Sequence, residues 1–101
     1  MSQQVAKTIL QQLGGNRFLT MTGAKNLASD TDRLVFRLNG RLCKNGINMV
    51  SIVLNGSDLY DVTYLRVRGT KIVVEDLDKD VYCDMLVDCF EEATGLLTSL
   101  F

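Results

Sequence analysis

The 101-residue sequence predicts an α+β fold: a mostly antiparallel sheet of four to five strands, with N- and C-terminal helices packed on one of its faces. Three observations carry that prediction. Apolar residues near both termini recur with the helical period, the middle of the chain alternates as strands do, and the strand-like segments follow one another through turns too short for crossover helices. The length suits a single domain spanning residues 1–101.

Residues 2–14 read as the first helix, with Val5, Ile9, Leu10 and Leu13 on one face, Ser2 as its cap and Gly14-Gly15 as its stop. Residues 17–24, RFLTMTGA, alternate and are rich in threonine, which predicts a strand; residues 25–32 then read as a loop. In 33–39, Leu34, Phe36 and Leu38 point to one side of a strand, and Arg33, Val35 and Arg37 to the other. Residues 40–46 form a turn region ending in the hairpin-type dipeptide Asn45-Gly46. The most apolar strand, 47–55, should be central. A turn at GSDL leads to a long strand over 60–69, and Gly69-Thr70 turns the chain into a last strand over 71–77. A second helix is expected from about residue 79 or 80 to Ala93, stopped by Gly95. The expected core comprises Val5, Ile9, Leu10, Leu13, Leu34, Phe36, Leu38, Val50, Ile52, Leu54, Val74, Met85, Leu86, Cys89 and Phe90.

Charge is divided along the chain. Residues 1–72 hold ten of the eleven basic residues and four acids, whereas residues 73–101 hold Lys79 and eight acids. Such asymmetry points to interaction surfaces. In a helix starting near 80, Asp80, Asp84 and Asp88 stand four residues apart, and Glu91 and Glu92 extend the line into an acidic stripe. Like charges at that spacing weaken an isolated helix, and acids near its C-terminus oppose the dipole, so local helix energetics do not explain the stripe. It can be a solvated face, a match for basic strands within the chain or across a dimer, or a docking surface for a basic partner protein or a mimic of nucleic-acid charge. A Mg²⁺ or Ca²⁺ site built from Asp80, Asp84 and Asp88 is disfavoured, because aspartates strung along one exposed helix do not converge.

The basic counterpart lies in YDVTYLRVRG, residues 60–69. Tyr60, Val62, Tyr64, Arg66 and Arg68 share one face of a regular strand, and Arg33 and Arg37 line a face of an earlier one. Arginine on phosphate and tyrosine on a base is how open sheets bind single strands. The structural alternative is that the tyrosines are half-buried and the arginines keep a sheet face wet.

Catalytic signals are weak. The chain has no histidine, which excludes Ser-His and Cys-His pairs within one chain. Its three cysteines, Cys43, Cys83 and Cys89, include no CxxC and are expected to be reduced, partly buried thiols rather than metal ligands. QLGGNRF, residues 12–18, places its glycines after a helix rather than a strand, unlike a phosphate-binding loop. No cofactor or metal is implied. No apolar run reaches 18 residues and the N-terminus does not read as a signal peptide, so the expectation is a cytoplasmic protein with no membrane span.

Three stretches, ILQQLGGNRFLTMTGAKN (9–26), YDVTYLRVRGTK (60–71) and VYCDMLVDCFEEATGLLTSL (81–100), resemble a group of small uncharacterised proteins encoded by bacteriophages and integrated bacterial mobile elements. That resemblance implies a bacterial or phage origin and a cytoplasmic accessory role, without transferring any catalytic residue. The expected function is therefore non-enzymatic nucleic-acid binding through Arg33, Arg37, Tyr60, Tyr64, Arg66 and Arg68. The alternative is a protein-protein interaction module, such as a host-factor or defence-system inhibitor, acting through Asp80, Asp84, Asp88, Glu91 and Glu92. A homodimer is expected, because the terminal GLLTSLF leaves Leu96, Leu97, Leu100 and Phe101 in need of cover.

Overall fold

The chain places three helices against one face of a five-stranded sheet; the computed structural model describes residues 4–29 and 32–96. Helix α1 (Gln4–Leu13) is followed by α2 (Asn16–Thr22), and α3 (Leu86–Thr94) closes the described chain. Strands β1 (Lys25–Ser29), β2 (Arg33–Arg37), β3 (Met49–Leu54), β4 (Tyr60–Arg68) and β5 (Lys71–Val81) pair in sequence order, each antiparallel to the next. The α+β class and the central place of β3 agree with the sequence.

The alternating side chains of the sheet define the core. Leu34, Phe36, Val50, Ile52, Val62 and Tyr64 are buried on the helix-covered face, beneath Ala6, Ile9 and Leu13 of α1, Phe18 of α2, and Leu86 and Phe90 of α3. Three phenylalanines link these layers. Phe18 meets Phe36 edge-on with centroids 5.4 Å apart and Phe90 at 5.2 Å, while Phe36 and Phe90 are 6.1 Å apart. This is the geometry in which ring edges meet ring faces favourably.

Segment 17–24 is helical, not a strand. Gly14 (φ 126°) and Gly15 (φ 61°) do not simply stop α1; they take backbone conformations that suit glycine and turn the chain directly into α2. The apparent alternation of RFLTMT hides a helical pair, Phe18 and Thr22, both buried. The same local device recurs at the other end of the chain. Thr22 Oγ1 donates to the Phe18 carbonyl (2.7 Å) and accepts from Ala24 N–H (3.3 Å), while Thr94 Oγ1 donates to the Phe90 carbonyl (2.8 Å) and accepts from Leu96 N–H (3.2 Å). Gly23 and Gly95 then take the left-handed conformation that ends a helix. Phe-x-x-x-Thr-Gly is thus the ending of both α2 and α3.

Two further expectations change. Lys25–Ser29 is a strand, exposed along its whole length, so burial leaves no alternation in its sequence. The last strand runs to Val81, which pairs with Tyr60 and is buried, so α3 begins six or seven residues later than expected. Asp80 has φ 55°, and its N–H donates to Asp61 Oδ1 (3.1 Å) while its own carboxylate accepts from Asn55 Nδ2 (2.9 Å). A short 3-10 turn, Cys83–Met85, separates β5 from α3. Two residues expected in the core are exposed: Met85, in this turn, at 50%, and Val74, which pairs with Leu65 on the sheet face away from the helices, at 58%. Of the cysteines, Cys43 is buried, Cys89 half-buried and Cys83 exposed. Leu96 packs partly on the core, while Ser2, Leu97, Leu100 and Phe101 lie outside the described residues.

Replacing Phe90 by alanine should cost about 3–5 kcal/mol of stability, whereas Met85→Ala should change it by less than about 0.5 kcal/mol. Urea denaturation of both variants checks the assignment; equal losses would contradict it.

Candidate functional site

The antiparallel meander sorts charge by strand end rather than by sheet face. Lys25, Arg37, Arg68 and Lys71 lie at one end, where Lys25 pairs with Arg37 and Arg68 with Lys71. The 38–48 connection between β2 and β3 adds Arg41 and Lys44 to that end, and Arg66 stands two residues inward of Arg68 on β4. At the opposite end are Asp32, Asp58, Asp61, Asp80 and Asp84, with Arg33 and Lys79 as the bases among them.

Two of the basic side chains have internal duties. Arg66 Nε pairs with Glu75 Oε2 at 3.1 Å, and its stem lies where a Cβ on Gly46 would touch it. Lys44 Nζ donates to the Glu92 carbonyl at 2.9 Å, placing positive charge at the C-terminal end of α3. Among the described residues, Arg37, Arg41, Arg68 and Lys71 have no carboxylate within ion-pair distance.

The expected sheet-face site is therefore redistributed. Arg37, Arg66 and Arg68 come together at the basic end. Arg33 belongs to the opposite end, where it pairs with Asp32 at 3.2 Å. Tyr60 and Tyr64 lie beneath the helices, 5% and 0% exposed, so neither ring offers a face to a base. Lys25, Arg41 and Lys71 join the cluster although they fall at strand ends and in loops of the sequence; their convergence depends on strand order, which spacing alone does not give.

The acidic set is divided as well. Asp80 belongs to β5, Asp84 to the 3-10 turn, and Asp88, Glu91 and Glu92 to α3. Between β5 and α3, Asp76, Asp78, Cys89, Glu92 and Ala93 line a cleft of about 110 Å³. Burial pushes the Asp78 carboxyl above its ordinary range, with the negative charges of Asp76 and Glu92 adding to the effect. The Tyr64 hydroxyl opposes this by donating to Asp78 Oδ2 at 3.2 Å. Burial and the charges of Asp78, Glu92 and Asp88 raise the Cys89 thiol, which disfavours the nucleophilic thiolate. Among the described residues no group of three Cys, Asp or Glu side chains is arranged to hold a metal ion. No described helix is long and apolar enough to cross a membrane.

The face of the sheet away from the helices is the third surface. Register lines up Lys25, Arg37, Met49, Leu65 and Val74 across five strands, and beside them Ala28, Val35, Ser51, Thr63 and Leu77. Ile72, Val74 and Leu77 are 66%, 58% and 45% exposed there. No protein-family model, curated protein or solved structure matches the chain.

The raised carboxyl of Asp78 has a definite sign. Below both its folded and unfolded values the group is protonated in either state. As pH rises above about 4 the unfolded chain ionises first, so this group's contribution to stability falls until the folded carboxyl has also ionised. Asp78→Asn should remove that loss; in thermal melts from pH 3 to pH 7 the variant should gain stability relative to the wild type as pH rises, and parallel profiles would count against it.

Proposed function

We propose that the chain is a non-enzymatic accessory protein that binds nucleic acid through the basic end of its sheet and works as a homodimer. The observation that supports this most is the convergence of Lys25, Arg37, Arg41, Arg68 and Lys71 from four strands and one connection. A bacteriophage or mobile-element role rests on the resemblance of residues 9–26, 60–71 and 81–100. With Tyr60 and Tyr64 buried, the contact is with phosphate rather than by base stacking, which makes binding sequence-tolerant and salt-dependent.

Four or five phosphate contacts give a slope of log affinity against log salt of about −4 on duplex DNA. Arg68→Ala combined with Lys71→Ala should reduce that slope by about two, while Lys79→Ala at the opposite end should leave it unchanged. Fluorescence anisotropy with a labelled oligonucleotide measures both, and equal affinities for the wild type and the double variant would sink the reading.

The acidic cleft favours a second reading, a module that docks a basic segment of a host protein. A lysine-rich peptide should then bind, and Asp76→Asn with Glu92→Gln should abolish the contact in calorimetry. Undiminished binding by the double variant would reject it.

A further inference from the structure

We propose that the open face of the sheet is a dimer interface whose occupant is a second copy of this chain, stacked face to face about a two-fold axis that runs along β3. The helices cover one face of the sheet; the other carries Met49, Leu65, Val74, Ile72 and Leu77 without a described layer above it. Single exposed apolar side chains are ordinary, but a contiguous apolar field is the mark of an interface.

The pattern of side chains on this face is self-complementary. One cross-strand row reads Arg33, Val53, Asp61. A two-fold axis through β3 reverses the row, so that Arg33 of one copy stands over Asp61 of the other, twice, with Val53 over Val53 between them. Arg33 Nε stays on Asp32 and Asp61 Oδ1 on Asn55 and the Asp80 N–H, which leaves the outer guanidinium nitrogens and Asp61 Oδ2 for the cross-pair. The next row reads Ala28, Val35, Ser51, Thr63, Leu77. Reversed on itself, it sets Leu77 over Ala28 and the two Ser51 side chains opposite each other, large against small, with no charge buried. The third row reads Lys25, Arg37, Met49, Leu65, Val74; reversed, it lays the stems of Lys25 and Arg37 over Val74 and Leu65, with both charged heads at the rim. An axis perpendicular to the strands would instead set Arg37 over Arg33, like on like. A closed two-fold contact requires a surface that complements itself, and the charges on this one do so in the first arrangement and not in the second.

Size is consistent with this occupant. Five strands spaced by ~4.8 Å, with β3 and β4 about 20 and 30 Å long, present a face that with its side-chain relief approaches the ~800 Å² per partner of a standard interface. The operation preserves strand direction, so the two basic ends lie side by side; that consequence, unlike the dimer itself, rests on the nucleic-acid reading.

Size-exclusion chromatography with light scattering, without nucleic acid, tests the dimer separately from that reading. The wild type should run as a dimer at about 100 µM. Val74→Lys, which would stand over Lys25 of the other copy, should weaken association about 100-fold while keeping the wild-type circular dichroism. Ile72→Glu, at a more exposed position, gives a second answer should Val74→Lys fail to fold, and Leu42→Asp, exposed but in the β2–β3 connection, should leave the dimer intact. Arg33→Glu should weaken association about 10-fold, and Asp61→Asn, which keeps an oxygen acceptor for the Asp80 N–H, should weaken it in the same direction. A monomeric wild type, or folded face variants that remain dimeric, would overturn the proposal. So would an Arg33→Glu protein that associates as tightly as the wild type, because it removes the cross-pair that fixes the axis.

Discussion

The contact on which the rest depends is the meeting of Phe18, Phe36 and Phe90. Each ring comes from a different element, α2, β2 and α3, and each is fully buried. None of these elements is long: α2 has seven residues, β2 five and α3 nine. Helices of that length do not persist alone in water, so tertiary packing must hold them. Fixing the rings fixes where both short helices end, because the carbonyls of Phe18 and Phe90 are the acceptors for Thr22 and Thr94. Core packing and helix termination are therefore a single device, used once at each end of the chain.

Most of the sheet was legible in the sequence because β2, β3 and β4 have one buried face. Leu34 and Phe36, Val50 and Ile52, and Tyr60, Val62 and Tyr64 alternate with half-buried neighbours, and period-two patterning reports such burial directly. Edge strands have less to report. β1 is exposed throughout, and β5 is exposed at most of its positions, so hydrophobic alternation missed the first and cut the second short. The α2 segment failed for another reason: seven residues give too few turns for a helical period to stand out, and threonine-rich sequence favours a strand on propensity. The repeated Phe-x-x-x-Thr-Gly was the available signal.

The charged surfaces were half legible. The division between a basic stretch and an acidic stretch was visible in order along the chain, but order in the chain is not order in space. An antiparallel meander returns the chain to the same end every second strand, which collects Arg37, Arg41, Arg68 and Lys71 from positions more than thirty residues apart. It also separates Arg33 from Arg37, four residues apart in sequence but at opposite ends of β2. Period-two reasoning placed Arg66 and Arg68 on the same face as Tyr60 and Tyr64; what it could not give was which face the helices take.

Asn55 closes the β3–β4 turn and reaches beyond it. Its Oδ1 accepts from Ser57 and Leu59 N–H, and its Nδ2 donates to both Asp61 and Asp80. One amide thus holds two carboxylates side by side and joins the turn to the far end of β5. The next residue is Gly56, and an asparagine followed by glycine is the pair whose side chain most readily cyclises onto the following backbone nitrogen and loses ammonia. That chemistry at Asn55 would replace the shared donor by a third acid between the other two. The same amide that organises this corner is thus the one whose loss would load it with negative charge, so chemical ageing at Asn55 would act on the turn and on the end of β5 together.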